Sequence, residues 1–335
     1  VMMLIGRVRI GELMKLLGLA FAAVMLAGLL NLGRSETAGG RVETWIDLWT
    51  KPQTEKPIDQ LTDTEKKLFI RQVNVFAAYA AYSDHEIGRV IDAIAEIGEL
   101  DNTLIFYING DNGTRAEGGP LGTPNEVAFF NGLSEIPADV EMKVYDVWST
   151  EMTYNHMSAG WSWAFDTPFD WFKQNASRLG GIRQNMVVSW PAKITDKGGQ
   201  RDQFMHVIDV VPTILEATGI PAPKMVDGIE QAPIEGTSFA YTFDAANAKE
   251  PSHHKVQYFE MMGQWALYDD GWFLSTKVDR APWQAFGAAN TDPLNNQVLE
   301  LYNLDRDFSQ TEDLAAKHPQ KVKEMKQAFI RAARK

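Results

Sequence analysis

The 335-residue chain contains no cysteine. This absence excludes disulfides, thiolate metal ligands and a cysteine nucleophile within these residues. Basic residues are also few, because 32 Lys and Arg face 44 Asp and Glu and leave a net charge of −12. Such a chain has no long-range attraction for nucleic acid, so we expect no DNA or RNA partner. The apolar content of 45% with 11% aromatic residues is sufficient for a packed core.

The N-terminal segment differs in composition from the rest. Arg7, Arg9 and Lys15 precede an uncharged apolar stretch at residues 16–33. A basic region followed by an apolar region is typical of a secretory signal peptide or a signal anchor, and this length is close to the minimum for a membrane span. We therefore expect residues 1–40 to direct the chain to the periplasm or the cell exterior, either cleaved or kept as a membrane anchor. Residues 41–61 are predicted to be a linker.

The next region has the pattern of an α/β domain. Thr62 and Glu65 form a capping-box sequence, and apolar residues recur at helical spacing until Gly98. A nearly continuous apolar run at 103–108 follows, which predicts a strand buried on both faces and a βαβ-type architecture. A second strand is predicted at 185–191 and a helix at 206–220. From residue 253 onwards three strand-like runs precede an amphipathic helix, which predicts a small α+β subdomain.

The end of the first strand carries candidate metal ligands. Asp111 and Asn112 follow the strand directly and lie between Gly110 and Gly113. Ligands of α/β sheets bind beyond the carboxyl ends of strands, and carboxylate and amide oxygens suit Ca²⁺ or Mg²⁺. The alternative interpretation is an ordinary turn, because Asn-Gly is a favoured turn pair.

Several other polar and aromatic residues have structural explanations that compete with functional ones. His206 and Asp209 have the spacing of a zinc pair, and His253 and His254 are expected at the surface. The tryptophans at 161, 163 and 171 form either a pocket wall or a local core, and we favour the core. His156 lies in the same Trp-rich loop, where it either lines a substrate pocket or is an ordinary buried histidine. His156 and the three tryptophans belong to a long region, 113–180, that is predicted to consist of loops and short helices.

Eight segments in order along residues 60–335 resemble the arylsulfatase family of the alkaline phosphatase superfamily, and most of all its long bacterial members. They are SDHEIGRVIDAI, DNTLIFYINGDNG, AEGGPLGT, YNHMSAGWSWAFDTPFDWFKQNAS, GGIRQNMVVSWP, HVIDVVPTILEATGI, YFEMMG with ALYDDGW, and ELYNLDRDFSQTEDLAAKHPQK. The resemblance implies an alkaline-phosphatase-like α/β fold. Its mixed sheet, flanked by helices and incomplete on the N-terminal side, would occupy 62–252, with the α+β subdomain at 253–335. The implied activity is hydrolysis of a sulfate ester in a small molecule or a sulfated glycan.

The resemblance also implies roles for single residues. Asp111 and Asn112 match the family's Asp-Asn pair that helps to hold the active-site Ca²⁺ (or Mg²⁺). Lys173 matches the lysine that contacts the sulfate, where an ammonium would stabilise charge that develops on sulfate oxygens. His156 is a second candidate for substrate binding. In the family the run that contains His206 and Asp209 is a structural helix, so the resemblance favours a structural role for this pair. Phosphodiesterases of the superfamily typically carry Asp-His in place of Asp-Asn, so Asn112 favours one hard cation over a zinc pair.

The family's nucleophile has no counterpart in these residues. Sulfatases use a formylglycine made from Cys or Ser in a Cys/Ser-x-Pro-x-Arg motif, and the nearest string here, Ser189-Trp-Pro-Ala-Lys193, ends in lysine. We therefore expect a sulfatase chain that lacks its first part and is inactive in isolation. One alternative is a non-catalytic, exported or membrane-tethered remnant that binds a sulfated ligand or partner. The other is a phosphoesterase of the same superfamily.

Overall fold

The computed structural model describes residues 60–109, 113–133, 135–284, 292 and 294–334. The predicted signal segment at 1–40 and nearly all of the predicted linker lie outside this part. The chain divides into two compact units, residues 1–61 and residues 62–335, and the elements that follow belong to the second unit. Within the described residues, no helix combines the length and the apolar character that a membrane crossing requires.

The second unit contains helices and antiparallel sheets, which confirms the predicted α/β class. The helices are α1 (Asp63–Glu96), α2 (Val127–Phe130), α3 (Ala138–Glu141), α4 (Ala159–Asp166), α5 (Leu179–Ile182), α6 (Val210–Thr218) and α7 (Pro319–Ala332). The strands are β1 (Ile105–Asn109), β2 (Asn185–Ser189), β3 (Met225–Val226), β4 (Ile229–Glu230), β5 (Val256–Met261), β6 (Gln264–Asp269), β7 (Trp272–Thr276) and β8 (Leu299–Asn303).

Helix α1 begins where its capping box predicts. The Thr62 side chain accepts the Glu65 N–H at 3.2 Å, and the Glu65 carboxylate accepts the Thr62 N–H at 2.6 Å. These two bonds satisfy backbone donors that a helix start leaves unpaired. The helix buries Leu68 and Val75 against Trp148 in one small cluster. It ends before Gly98, whose φ of +79° belongs to the left-handed region that glycine adopts most easily.

Strands β1 and β2 form a two-stranded antiparallel sheet in which Tyr107 pairs with Val187. The prediction of strands buried on both faces is wrong in this structure, because β1 is half-buried and Val187 is 58% exposed. Within the described residues these strands pair only with each other, and β2 alternates between exposed and half-buried residues. The predicted βαβ unit is also absent from the described part, since no described strand precedes α1.

The region between β1 and β2 consists of loops and short helices, as predicted. Two isolated β-bridges, Thr123 with His156 and Asn125 with Tyr154, hold its two halves together. The Trp163 side chain is buried, and its ring centroid lies 5.8 Å from those of Trp171 and Phe172. The tryptophan cluster therefore includes a local core, which is the interpretation that we favoured.

The C-terminal part is a four-stranded antiparallel sheet in the order β5-β6-β7-β8, with α7 packed on it. The sequence predicted three strands, but the second run turns back on itself at Asp270-Gly271. Their φ values of +45° and +88° fit the tight hairpin turn for which Asp-Gly is a preferred pair. Strand β6 is buried along almost its whole length, and Trp265 stacks on Phe329 of α7 at 4.2 Å.

The C-terminal sheet also packs on the preceding region. One buried cluster joins Leu179 of α5 to Tyr268, Phe273 and Tyr302 of the sheet. The Arg178 guanidinium donates to Glu300 Oε2 at 2.5 Å and to the Tyr302 hydroxyl at 2.7 Å. The two Arg178 bonds join residues more than one hundred positions apart, so the sheet is fixed to the loops around residue 173.

Candidate functional site

The predicted metal ligands Asp111 and Asn112 lie outside the described residues. The structure does describe Asn109, where β1 ends, and Gly113, where the chain resumes. Gly113 has a φ of +87°, and a Cβ atom there would lie 2.0 Å from the Gly180 carbonyl oxygen and 2.8 Å from the Lys173 nitrogen. Only glycine fits this contact. The residue directly after the Asp-Asn pair therefore packs against the backbone of Lys173.

Lys173 lies on a strained turn. The flanking residues Trp171 and Gln174 have φ values of +64° and +80°, which side-chain-bearing residues rarely adopt. Phe172 anchors the turn with a fully buried ring, and the Lys173 N–H donates to the Thr114 carbonyl at 3.1 Å. The backbone of Lys173 is therefore hydrogen-bonded to Thr114, which lies two residues after Asn112 in the sequence.

Glu117 receives the charged end of Lys173. The Lys173 Nζ lies 3.5 Å from Glu117 Oε1, and the Gln174 amide donates to the same oxygen at 3.2 Å. The Glu117 side chain is 7% exposed and that of Lys173 is 24% exposed. Burial alone would raise the pKa of Glu117. The pKa is nevertheless lowered, by hydrogen bonds from its own backbone N–H and from Gln174 and by the charges of Lys173 and Arg115. Glu117 is thus ionised at neutral pH.

Arg115 connects this pair to a second acid. Its guanidinium lies 2.8 Å from Glu126 Oε2 through Nη2 and 3.7 Å from Glu117 Oε2 through Nε. The His156 Nε2 bonds to the same Glu126 oxygen at 2.5 Å. We call the six residues Arg115, Glu117, Glu126, His156, Lys173 and Gln174 the Lys173 network.

The charges of the Lys173 network balance at neutral pH. Burial of the ring, together with the Arg115 charge, lowers the pKa of His156 in spite of its bond to Glu126. For Glu126, burial opposes ionisation, but hydrogen bonds with His156 and Tyr154 and the Arg115 charge lower its pKa. Two cations therefore face two carboxylates beside a neutral histidine.

The two candidate substrate-binding residues, Lys173 and His156, differ in their accessibility. Lys173 is partly accessible and next to the segment that follows Asp111 and Asn112. His156 is 8% exposed and bound to Glu126, so contact between His156 and a substrate stays a prediction. Sequence reasoning assigned no role to Arg115, Glu117 or Glu126. Glu117 could have been noticed in the sequence because it is a charged residue directly before the Gly118-Gly119 pair.

The described residues contain no group of three or more His, Cys, Asp or Glu side chains that could hold a metal ion. The ligands that would hold a Ca²⁺ or Mg²⁺ ion are Asp111 and Asn112, whose carboxylate and amide oxygens are what a hard cation prefers. Their contribution stays a prediction, as does the formylglycine.

His206, Asp209 and His254 form a structural joint. The Asp209 carboxylate accepts N–H groups of His206 at 2.8 Å and Thr237 at 2.7 Å, and the His254 Nδ1 at 2.8 Å. This supports the structural interpretation of His206 and Asp209, because the carboxylate caps the start of the helical segment. The expected surface position of His254 is wrong, since that residue is 7% exposed and its ring fills the space beside Asp209.

A sulfatase family model matches residues 39–220, more than half of the chain. An uncharacterized sulfatase of Schizosaccharomyces pombe is 27% identical over 279 residues, which cover 81% of this chain and 45% of that protein. An arylsulfatase of Klebsiella aerogenes is 24% identical over 211 residues, which cover 63% of this chain and 42% of the relative. The chain therefore spans less than half the length of these two relatives.

A solved structure from work on glycosaminoglycan metabolism by Bacteroides thetaiotaomicron superposes with a TM-score of 0.48 at 14% identity. The match covers 75% of this chain and 43% of that one. The family model confirms the resemblance that the sequence segments indicated, and with it the alkaline-phosphatase-like α/β fold. The chain belongs to the sulfatase family.

Proposed function

We propose that this chain carries the sulfate-binding side of an arylsulfatase-type sulfuric ester hydrolase. The observation that carries the proposal is the placement of Lys173. Its backbone bonds to Thr114 and packs on Gly113, directly after the two residues predicted to hold the cation. A cation and a lysine ammonium on neighbouring segments are suited to hold two oxygens of one sulfate.

The residues of this chain have separate roles in the proposal. The Lys173 ammonium binds a sulfate oxygen, and Asp111 and Asn112 hold Ca²⁺ (or Mg²⁺). When present, the formylglycine of the family supplies the attacking oxygen, but the 335 residues contain no motif that provides it. We therefore propose binding without turnover for this chain. Direct sulfate contact by His156 is the part that the geometry supports least, because its ring is buried and bound to Glu126.

The class of ester is a further part of the proposal. We favour an aryl sulfate because an arylsulfatase is among the relatives, and a sulfated glycan is the second choice. Export to the periplasm or cell exterior through residues 1–40 belongs to the same proposal.

A binding experiment tests the role of Lys173. The full chain and its Lys173→Met variant are titrated with inorganic sulfate and with 4-nitrocatechol sulfate in the presence of Ca²⁺. A lost charge-assisted hydrogen bond predicts affinity that is lower by roughly 10- to 100-fold. Lys317→Met is the matched control, because Lys317 also pairs with a glutamate but lies at the surface. Equal affinity of wild type and Lys173→Met would contradict the proposal.

Two further measurements test the cation and the absence of turnover. Ca²⁺ should bind the wild type measurably and the Asp111→Ala variant at least about tenfold more weakly, because a carboxylate ligand is lost. Release of 4-nitrocatechol from its sulfate should not be detectable with or without Ca²⁺. Metal-dependent release by the purified chain would show that catalysis does not need the missing motif.

A further inference from the structure

We infer that Glu117 is the positioning residue of Lys173 and holds its ammonium in the orientation that receives a sulfate. This inference rests on the proposed function. A lysine carries a compact charge on a flexible four-carbon side chain, so a fixed backbone alone does not fix the ammonium. The geometry of Glu117 supplies the second restraint.

Glu117 is itself held firmly. It precedes Gly118, where a Cβ atom would lie 3.0 Å from the Cβ of His156 and 3.0 Å from the Gly122 Cα. The Gly119 N–H closes a turn on the Ala116 carbonyl at 3.0 Å, and the Gly119 carbonyl accepts the Ala159 N–H at 2.9 Å. Because this turn is tightly packed, the carboxylate of Glu117 projects from a rigid base.

The carboxylate contacts both side chains of the strained turn. One oxygen lies within 3.5 Å of Lys173 Nζ and accepts the Gln174 amide at 3.2 Å. Gln174 has a φ of +80°, and in this conformation its side-chain amide reaches Glu117. Glu117 therefore holds two consecutive residues of the turn.

Arg115 makes this arrangement compatible with an anionic ligand. A buried carboxylate beside the ammonium would repel a sulfate, but Arg115 lies 3.7 Å from the second oxygen of Glu117 and offsets its charge. The ammonium has three donors, so a contact with one carboxylate oxygen is compatible with a second acceptor. The 3.5 Å separation is also longer than a strong charge-assisted bond, so a sulfate oxygen can compete for the ammonium.

The test is a double-mutant cycle on sulfate binding. Glu117→Gln keeps the shape of the side chain and removes its charge. If Glu117 acts through Lys173, we expect sulfate affinity to fall by about tenfold, the usual effect of removing a partner that orients a ligand-binding group. In the Lys173→Gln background the same Glu117→Gln change should alter affinity less than about twofold. A role in general folding would lower affinity in both backgrounds.

A second readout covers the case in which binding by Lys173→Gln is too weak to measure. Acetylation of Lys173 by a limiting amount of an amine-reactive acetylating reagent is followed by mass spectrometry, with Lys255, which pairs with Asp270 at the surface, as the internal reference. Glu117→Gln should raise the relative labelling rate several-fold, because the ammonium loses its restraint, whereas the surface control Glu312→Gln should leave Lys173 labelling unchanged.

The outcomes separate the two proposals. If Lys173→Met weakens sulfate binding but Glu117→Gln changes neither affinity nor labelling, Glu117 does not position the lysine and the proposed function stands. If Glu117→Gln weakens binding equally with and without Lys173, Glu117 is structural and the inference is wrong. If Lys173→Met itself binds sulfate like the wild type, the proposed function fails and the inference fails with it.

Discussion

The Lys173 network and the contact of Arg178 with Glu300 of the C-terminal sheet, which we call the Arg178 joint, use buried charge differently. At the joint, Arg178 and Glu300 have side chains that are 8% and 11% exposed and are bonded at 2.5 Å. In the Lys173 network the cations are more accessible, since Lys173 is 24% and Arg115 is 39% exposed. Its Lys173–Glu117 contact is also longer, at 3.5 Å. A closed ion pair suits a structural contact, whereas an open one leaves a cation that a ligand can reach.

The histidines repeat this contrast, since each bonds to a carboxylate. The His254 Nδ1 faces Asp209 and its Nε2 faces the Val256 carbonyl at 3.1 Å, so both nitrogens meet acceptors and the protonated ring fits. The bond to Asp209 raises the pKa of His254 although burial opposes it. The His156 Nε2 faces Glu126, while its buried Nδ1 has no partner among the described residues. A neutral His156 ring can make its single bond to Glu126, and burial lowers the pKa of this ring.

Removal of Arg178 should have the largest effect on stability. Arg178→Ala leaves Glu300 buried without its cation, and the loss of one partner of a buried ion pair costs about 3–5 kcal/mol of unfolding free energy. Urea denaturation monitored by tryptophan fluorescence measures the change. The surface variant Lys255→Met, which breaks an exposed pair with Asp270, should cost less than about 1 kcal/mol. A loss below about 1 kcal/mol for Arg178→Ala would mean that the joint is not held by this pair.

His254 should stabilise the fold in a defined pH window. Because its pKa is raised above the ordinary histidine value of about 6.5, its contribution is fully present below about pH 6.5 and is lost as the pH rises through the raised value. His254→Gln should therefore destabilise by about 1–2 kcal/mol at pH 6 and by less at pH 8.5. Denaturation curves of both proteins across this range check the sign. A difference that grows with pH would contradict the protonated ring.

His156 should show the opposite dependence. Its pKa is lowered, so its contribution is present above the unfolded value of about 6.5 and is lost as the pH falls through the lowered value. His156→Gln should remove this acid-side loss, so its stability relative to the wild type should improve as the pH falls from about 7.5 to about 5. The same denaturation series provides the measurement. Parallel pH profiles for the wild type and His156→Gln would show that the ring is not buried in its neutral form.

Local signals predicted much of the fold. The Thr62 capping box, the apolar runs at 103–108 and 185–190 and the amphipathic final helix each describe a segment through its own residues, and each element forms where expected. The burial of β1 and β2 was overestimated, because burial depends on what packs above a strand. The Asp270-Gly271 turn was missed although its sequence signal is local, since the residues on both sides are apolar and resemble one strand.

The site was less predictable from the sequence. Lys173 was identified only through a family resemblance, because an isolated lysine in a loop carries no signal of its own. Its contact with Glu117 joins segments 56 positions apart and depends on the strained turn at 171–174. His254 was expected at the surface for the same reason, since its partner Asp209 lies 45 positions earlier. Contacts between distant segments are fixed by tertiary packing, which residue spacing does not encode.

The smallest stability effect should come from Glu117→Gln, even though its expected effect on sulfate binding is large. The ammonium of Lys173 is partly accessible, so water can solvate it when the carboxylate is removed, and partly exposed ion pairs contribute about 0–1 kcal/mol. We expect the free energy of unfolding to fall by less than about 1 kcal/mol, measured beside Arg178→Ala under the same conditions. A loss of more than about 2 kcal/mol would show that the Lys173–Glu117 pair stabilises the fold in the way that the Arg178–Glu300 pair is expected to. A small loss together with weak sulfate binding would show that this carboxylate is retained for its effect on the lysine, because the fold hardly depends on it.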